Sequence, residues 1–207
     1  MLLEEIFIQL ITKYSENQKI SSSLWDYVIK NHSKKSRYYH NLSHLENLYQ
    51  NLLSVQEEIV DWDIVLFSLF YHDCIYNVLK QDNEERSAQK AEEVLSSLFI
   101  SSERVELCKE IILATKGHQI SKNNDVNYFT DADLSILGSS WADYEMYFKQ
   151  VRKEYKYYPD FMYNKGRIKV LEHFIEMPKI YKTGHFYNTL EKQAKQNLQK
   201  EIDLFSK

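Results

Sequence analysis

The chain has 207 residues, of which 43 % are apolar and 27 % charged, with a formal net charge of -4. That length supports one domain with a substantial core, and the charge balance offers no electrostatic basis for binding nucleic acid or an anionic membrane. With 4 Gly and 2 Pro in the whole chain, long helices with short connections are expected, and a many-turned all-β fold is not.

The elements follow one another as helices. The first is predicted over 2–14, with Leu3, Ile6, Phe7, Leu10 and Ile11 on one face. This apolar start carries Glu4 and Glu5 and lacks a basic n-region, so a signal peptide is not expected. The second helix is predicted near 22–32, behind a cap signal at Ser21, Ser22 and Ser23. Leu42, Leu45, Leu48, Tyr49, Leu52 and Leu53 form the stripe of a third. The run 62–79 is apolar nearly all round, which marks a buried helix. Asp82 and Asn83 open a helix to about Phe99, with Glu84 and Glu85 in its first turn. Ser101 and Ser102 cap the next, to about Thr115. The polar stretch 116–127 reads as a loop. A short helix at 131–138 ends at Gly138, and longer helices follow near 140–156, 160–176 and 187–205. The segment 141–163 is rich in aromatic residues and reads as a helix–helix seam. Cys74 and Cys108 fall in apolar segments and are expected to be reduced and packed. No apolar run approaches the roughly 20 residues of a membrane span, so a cytoplasmic protein without membrane association is the default expectation.

The pair His72-Asp73 lies within the buried run. An imidazole and a carboxylate there cost roughly 2 kcal/mol or more per unpaired polar group unless something satisfies them. A divalent metal satisfies both, because His nitrogen and Asp oxygen are ordinary ligands for Zn, Mn, Fe or Ni. His44 on the preceding helix and Asp133 on a later one could complete the set.

The order His44, His72-Asp73, Asp133 resembles the HD superfamily of metal-dependent phosphohydrolases. The strings RYYHNLSHL (37–45), LFYHDCIY (69–76), DNEERSA (82–88), ILATKGH (112–118) and DADLSILG (131–138) are similar to a bacterial subfamily described as predicted metal-dependent HD phosphohydrolases. So are VRKEY (151–155), GR (166–167) and EKQAKQNL (191–198), which extends the likeness over nearly the whole chain. The resemblance implies an all-α HD-domain bundle of roughly eight to ten helices in a single domain. Its metal-binding core would span about 37–138, with the C-terminal helices of 140–206 packing on it. It also implies His44, His72, Asp73 and Asp133 as ligands of one divalent transition metal: Mn, Fe, Co, Ni or Zn. Asp133 is preferred to Asp131 because the distal ligand in related proteins opens a string of the type Ala132-Asp133-Leu134.

Further candidates surround this set. His40 precedes His44 by four residues, which would place both on one helical face, and a role at the site rim is expected. His118 and Glu84 are candidates for catalytic work beside Asp73, against bland alternatives of a loop histidine and a helix-start carboxylate. Lys116, Arg152, Lys153 and Arg167 are the cations suspected of holding phosphate. No glycine-rich phosphate loop or G-x-S-x-G string occurs.

The expected activity is hydrolysis of a phosphoester of a small molecule, a nucleotide foremost, with a homodimer left open. The alternatives are a non-catalytic metal-stabilised binding or sensor module, and an iron-dependent HD oxygenase. The oxygenase would need further histidines between Asp73 and Asp133, where only His118 occurs.

Overall fold

In a computed structural model that describes residues 2–205, the chain forms ten α-helices and two short 3-10 turns, with no strand among the described residues. The helices are α1 (Leu2–Thr12), α2 (Gln18–His32), α3 (Leu42–Leu53), α4 (Trp62–Tyr71), α5 (Asn83–Ser97), α6 (Ser102–Ala114), α7 (Asn124–Asp133), α8 (Trp141–Glu154), α9 (Asp160–Glu176) and α10 (Gly184–Phe205). The 3-10 turns are Gln56–Glu58 and Leu134–Gly138. The all-α class expected from the scarcity of breakers is what forms. No described helix is long and apolar enough to cross a membrane.

The chain divides into two units, the first ending at Thr130 and the second beginning at Asp131, so the division falls inside the last turn of α7. In the first unit, α4 is the hub. Every residue from Ile64 to Tyr71 is buried, and α1, α3, α5 and α6 all pack on it. Phe7 meets Phe70 edge-on at 4.8 Å and Trp25 at 5.5 Å, which locks α1 and α2 onto α4. Asp61 caps α4 by accepting from the Ile64 amide, and Arg104 of α6 grips the same carboxylate at 2.7 and 2.8 Å. The buried Asp125, in the first turn of α7, accepts from the amides of Val60 and Asp61 at 2.9 and 2.8 Å. The entry to α4 and the start of α7 are thus held by one carboxylate. Cys74 and Cys108 are free and buried, and burial pushes their thiols up to about 11 and about 12.

In the second unit, α10 packs on α9 and on the 3-10 turn at 134–138. A Cβ added to Gly138 would lie 2.5 Å from Leu190 Cβ and 2.8 Å from its carbonyl oxygen, so glycine permits this close approach. Arg167 forks onto the fully buried Glu201 at 2.8 and 2.9 Å, and the Tyr144 hydroxyl donates to the same carboxylate. The aromatic seam expected over 141–163 is present here: Tyr144 and Phe148 are buried, and the Tyr155 and Tyr163 rings lie 5.7 Å apart.

Four boundaries differ from the sequence reading, each for a local reason. Helix α2 starts at Gln18 because the Asn17 side chain caps it, and Ser21 lies inside the helix and buried. Helix α4 stops at Tyr71, well short of 79. Beyond it, Ser87 Oγ bonds both the amide and the carbonyl of Ile75, and Asn83 brackets Asn77 in the same way, so side chains replace the helical ladder. Part of the polar stretch expected as a loop is the start of α7, because Asn123 accepts from the Asp125 amide in the manner of a cap. Helix α10 begins at Gly184, three residues before the expected start.

Gly138→Ala should destabilise the second unit by about 1–3 kcal/mol through overpacking, read as a lower urea midpoint; an unchanged midpoint contradicts the close approach. His32 is fully buried, with its ring Nδ1 on the Val28 carbonyl oxygen at 3.0 Å. Burial, with Arg37 nearby, pulls its pKa down to about 3. The unfolded chain therefore takes up this proton first, and stability present above about pH 6.5 is lost as the pH falls toward the folded value, by about 1.4 kcal/mol per unit. His32→Leu should flatten that acid slope in denaturant titrations between neutral pH and about 4.

Candidate metal centre

Three helix ends deliver the candidate ligands. Asn41 caps α3 by accepting from the amides of Ser43 and His44 at 2.9 and 3.4 Å, which sets His44 in the first turn. Leu45, Leu48 and Leu52 bury the helix face, and His44 is 5 % exposed. His72 is the C-cap of α4, with its amide on the Ser68 carbonyl oxygen. Its Nδ1 lies 3.0 Å from the Leu69 carbonyl oxygen, so the proton sits on Nδ1 and Nε2 presents a lone pair. On α7, Phe129 meets the His72 ring edge-on at 5.6 Å. Asp133 is four residues further on, hence on the same face of that helix.

The distances suit a single ion. His44 Nε2 and His72 Nε2 are 3.2 Å apart, and Asp73 Oδ2 is 3.3 Å from His72 Nε2. Ligand atoms of His44, His72 and Asp133 all lie within 4.8 Å of one another. Donors sharing one ion at ~2.1 Å are about 3.0 Å apart at a right angle and about 3.4 Å apart at the tetrahedral angle. The buried His/His/Asp cluster can therefore bind a metal ion. Two imidazoles and carboxylate oxygens suit Mn, Fe, Co, Ni or Zn. Burial alone would raise the Asp73 carboxyl, but His72, His40 and His44 together hold it well below the ordinary carboxylate range. It stays ionised, as a ligand must.

Asp131 has a different task. It is fully buried and accepts from the amides of Lys182 and Thr183 and from Thr183 Oγ1 at 3.0, 2.7 and 2.8 Å. It pins the turn entering α10.

The remaining candidates are distributed as follows. His40 precedes the cap of α3 and so does not share a helical face with His44, contrary to the spacing argument. Its ring packs at a tilt of 31° against Tyr76 at 4.4 Å and approaches the His44 ring at 5.8 Å. His118, four residues beyond the end of α6, adopts the left-handed region, φ 50°, and is 8 % exposed, so it is not a loose loop histidine. Lys116 bonds Glu85 at 2.5 Å and the Gln81 carbonyl oxygen at 2.7 Å, with Glu84 at 3.9 Å. The structure thus joins Lys116 to the first turn of α5. Arg152 is bound to Asp160 and to the carbonyls of Tyr155 and Tyr158, and Arg167 to Glu201.

Sequence reasoning overlooked Arg37 and Lys182. Arg37 is 5 % exposed and donates to the carbonyls of His40 and Cys74, clamping the segment before α3 to the one after α4. An arginine beside a histidine pair is a weak signal that could have raised it. Lys182 had none, since nothing in its neighbours marks it for burial.

Comparison with protein-family models, with curated proteins and with solved structures gave no match to this chain.

Metal analysis of the purified protein should find about one equivalent of a transition metal. His72→Ala and Asp133→Asn should abolish it, whereas Asp131→Asn should keep the metal and lower thermal stability. Metal loss in Asp131→Asn alone would reverse the assignment of the two carboxylates.

Proposed function

We propose that the protein is a metal-dependent phosphohydrolase of the HD type that acts on a small phosphorylated molecule, with nucleotides as the leading class. The observation that carries this reading is the 3.2 and 3.3 Å spacing of His44, Asp73 and His72 atoms, with Asp133 in the same cluster. It joins the resemblance of the chain's motifs to that family.

When bound, a divalent ion supplies Lewis acidity and lowers the pKa of water toward neutrality. The chain's own residues supply the rest. Leu69 fixes the His72 tautomer through Nδ1, so the ring cannot turn away. Asp73 remains a carboxylate and can accept a hydrogen bond from a water, which orients that water's lone pair. The edge of Phe129 against His72 keeps this side of the site apolar and strengthens its electrostatics. The rings of Tyr39, His40 and Tyr76 form an aromatic rim beside His44, a surface suited to the flat face of a base.

A metal-stabilised binding module is the competing reading. It draws on the commitment of Arg152 and Arg167 to internal ion pairs, which removes two cations from service at a phosphate. The two readings separate on turnover. The metal-loaded protein should release phosphate from a nucleotide panel with Mn, Co or Ni added, and His72→Ala and Asp73→Ala should reduce the rate at least about a hundredfold. A protein that holds its metal but releases no phosphate from any of these compounds is the binding module.

A further inference from the structure

Helix α9 commits little of its surface to the fold. Of its 17 residues, Tyr163 and Leu171 are the buried ones. The helix packs on α10, and Arg167 joins the two through Glu201. Its outer face is open to water. Phe161 is 74 % exposed there, Met162 49 % and Val170 46 %. Lys165, Lys169, Glu172 and Glu176 are exposed on the same face, within an arc of about 60°. None of these four makes an ion pair among the described residues.

The order of these charges is unfavourable within one helix. Lys165 and Lys169 stand four residues apart, as do Glu172 and Glu176, so each charge repels its like neighbour. Lys169 and Glu172 are spaced to attract, yet they form no ion pair. The acidic pair lies toward the C-terminal end, where the helix carbonyls are already negative, and the basic pair lies toward the N-terminal end. Gly166 is also exposed, and a Cβ added there would meet nothing within 4 Å. The chain's own packing therefore does not call for glycine at this position, and glycine in a helix interior is destabilising relative to alanine.

We propose that the outer face of α9 is a self-association surface, on which α9 of a second copy of this chain packs antiparallel about a twofold axis. The charge pattern is its own complement in that arrangement. Lys165 and Lys169 of one helix meet Glu176 and Glu172 of the other, and the axis repeats both pairs. Each acidic pair then lies beside a basic pair, and each C-terminal end beside an N-terminal half. A parallel copy would set like charge against like. Phe161 and Met162 of each helix come over the other's C-terminal end, and Gly166 lets the two backbones approach. The helix is about 25 Å long, so the contact is smaller than a standard interface and the dimer is weak and salt-sensitive. The surface is independent of the metal centre.

Sedimentation equilibrium of the full chain across micromolar concentrations tests this. The wild type should dimerise reversibly at low salt and dissociate as salt is raised to about 0.5 M. Lys165→Glu with Lys169→Glu makes the stripe wholly acidic, and Glu172→Lys with Glu176→Lys makes it wholly basic. Each double variant alone should associate at least about tenfold more weakly, and an equimolar mixture of the two should form a dimer again. All four positions are exposed, so the substitutions act on the surface and spare the core. A wild type that stays monomeric, a dimer indifferent to both reversals, or a mixture that fails to associate overturns the proposal.

Discussion

Three acceptor-bearing groups, His44, His72 and Asp73, crowd one point, and that crowding is the constraint on which the site depends. Leu69 holds the proton on His72 Nδ1, so Nε2 is left as a lone pair facing another imidazole nitrogen at 3.2 Å and a carboxylate oxygen at 3.3 Å. Such an arrangement is met by a proton shared between the two imidazoles or by a cation among the three groups. The surrounding chain keeps them from separating. α4 is buried on every side, Arg37 ties the segments flanking the two histidines together, and Asp125 anchors α7 to the entry of α4. A framework this stiff holds the three groups within ångströms of one another and so preorganises a cation site.

Carboxylates divide the remaining labour. Asp131 and Asp133 are two residues apart on one helix, and the first is saturated by two backbone amides and a hydroxyl. Asp61 caps α4 and binds Arg104, Asp125 accepts from two backbone amides, and Glu191 and Glu201 do comparable work in the second unit. Each of these is a buried or half-buried acid whose charge is met by several hydrogen bonds, the condition under which burial is tolerated. Asp73 stands apart because its carboxylate lies 3.3 Å from the His72 imidazole.

The helices with strong apolar stripes were legible in the sequence. α3 shows Leu45, Leu48 and Leu52 at helical spacing, and α4 shows an unbroken apolar run, because burial on one face or on all faces writes itself directly into residue order. The ends of helices were less legible. The stop of α4 at Tyr71 depends on Ser87 and Asn83, which lie on α5 and reach back to the chain after His72. The start of α7 reads as polar loop because cap residues and loop residues are the same types. His40 illustrates the consequence: its spacing from His44 suggested a shared face, yet the Asn41 cap places it outside the helix.

The sequence by itself determined the helical class and the burial of α4, because composition and periodicity record how much of each helix is withdrawn from water, while the four residues suspected of holding a metal came from the resemblance of its motifs to a known family. Only the tertiary structure decided that His44, His72 and Asp133 converge, that Asp131 pins the turn entering α10, and that Lys182 is buried beside Asp131. These are relations between side chains 28 to 52 or more positions apart in the chain. Long-range proximity of that kind is set by packing angles and caps, and spacing along a single helix carries no record of it.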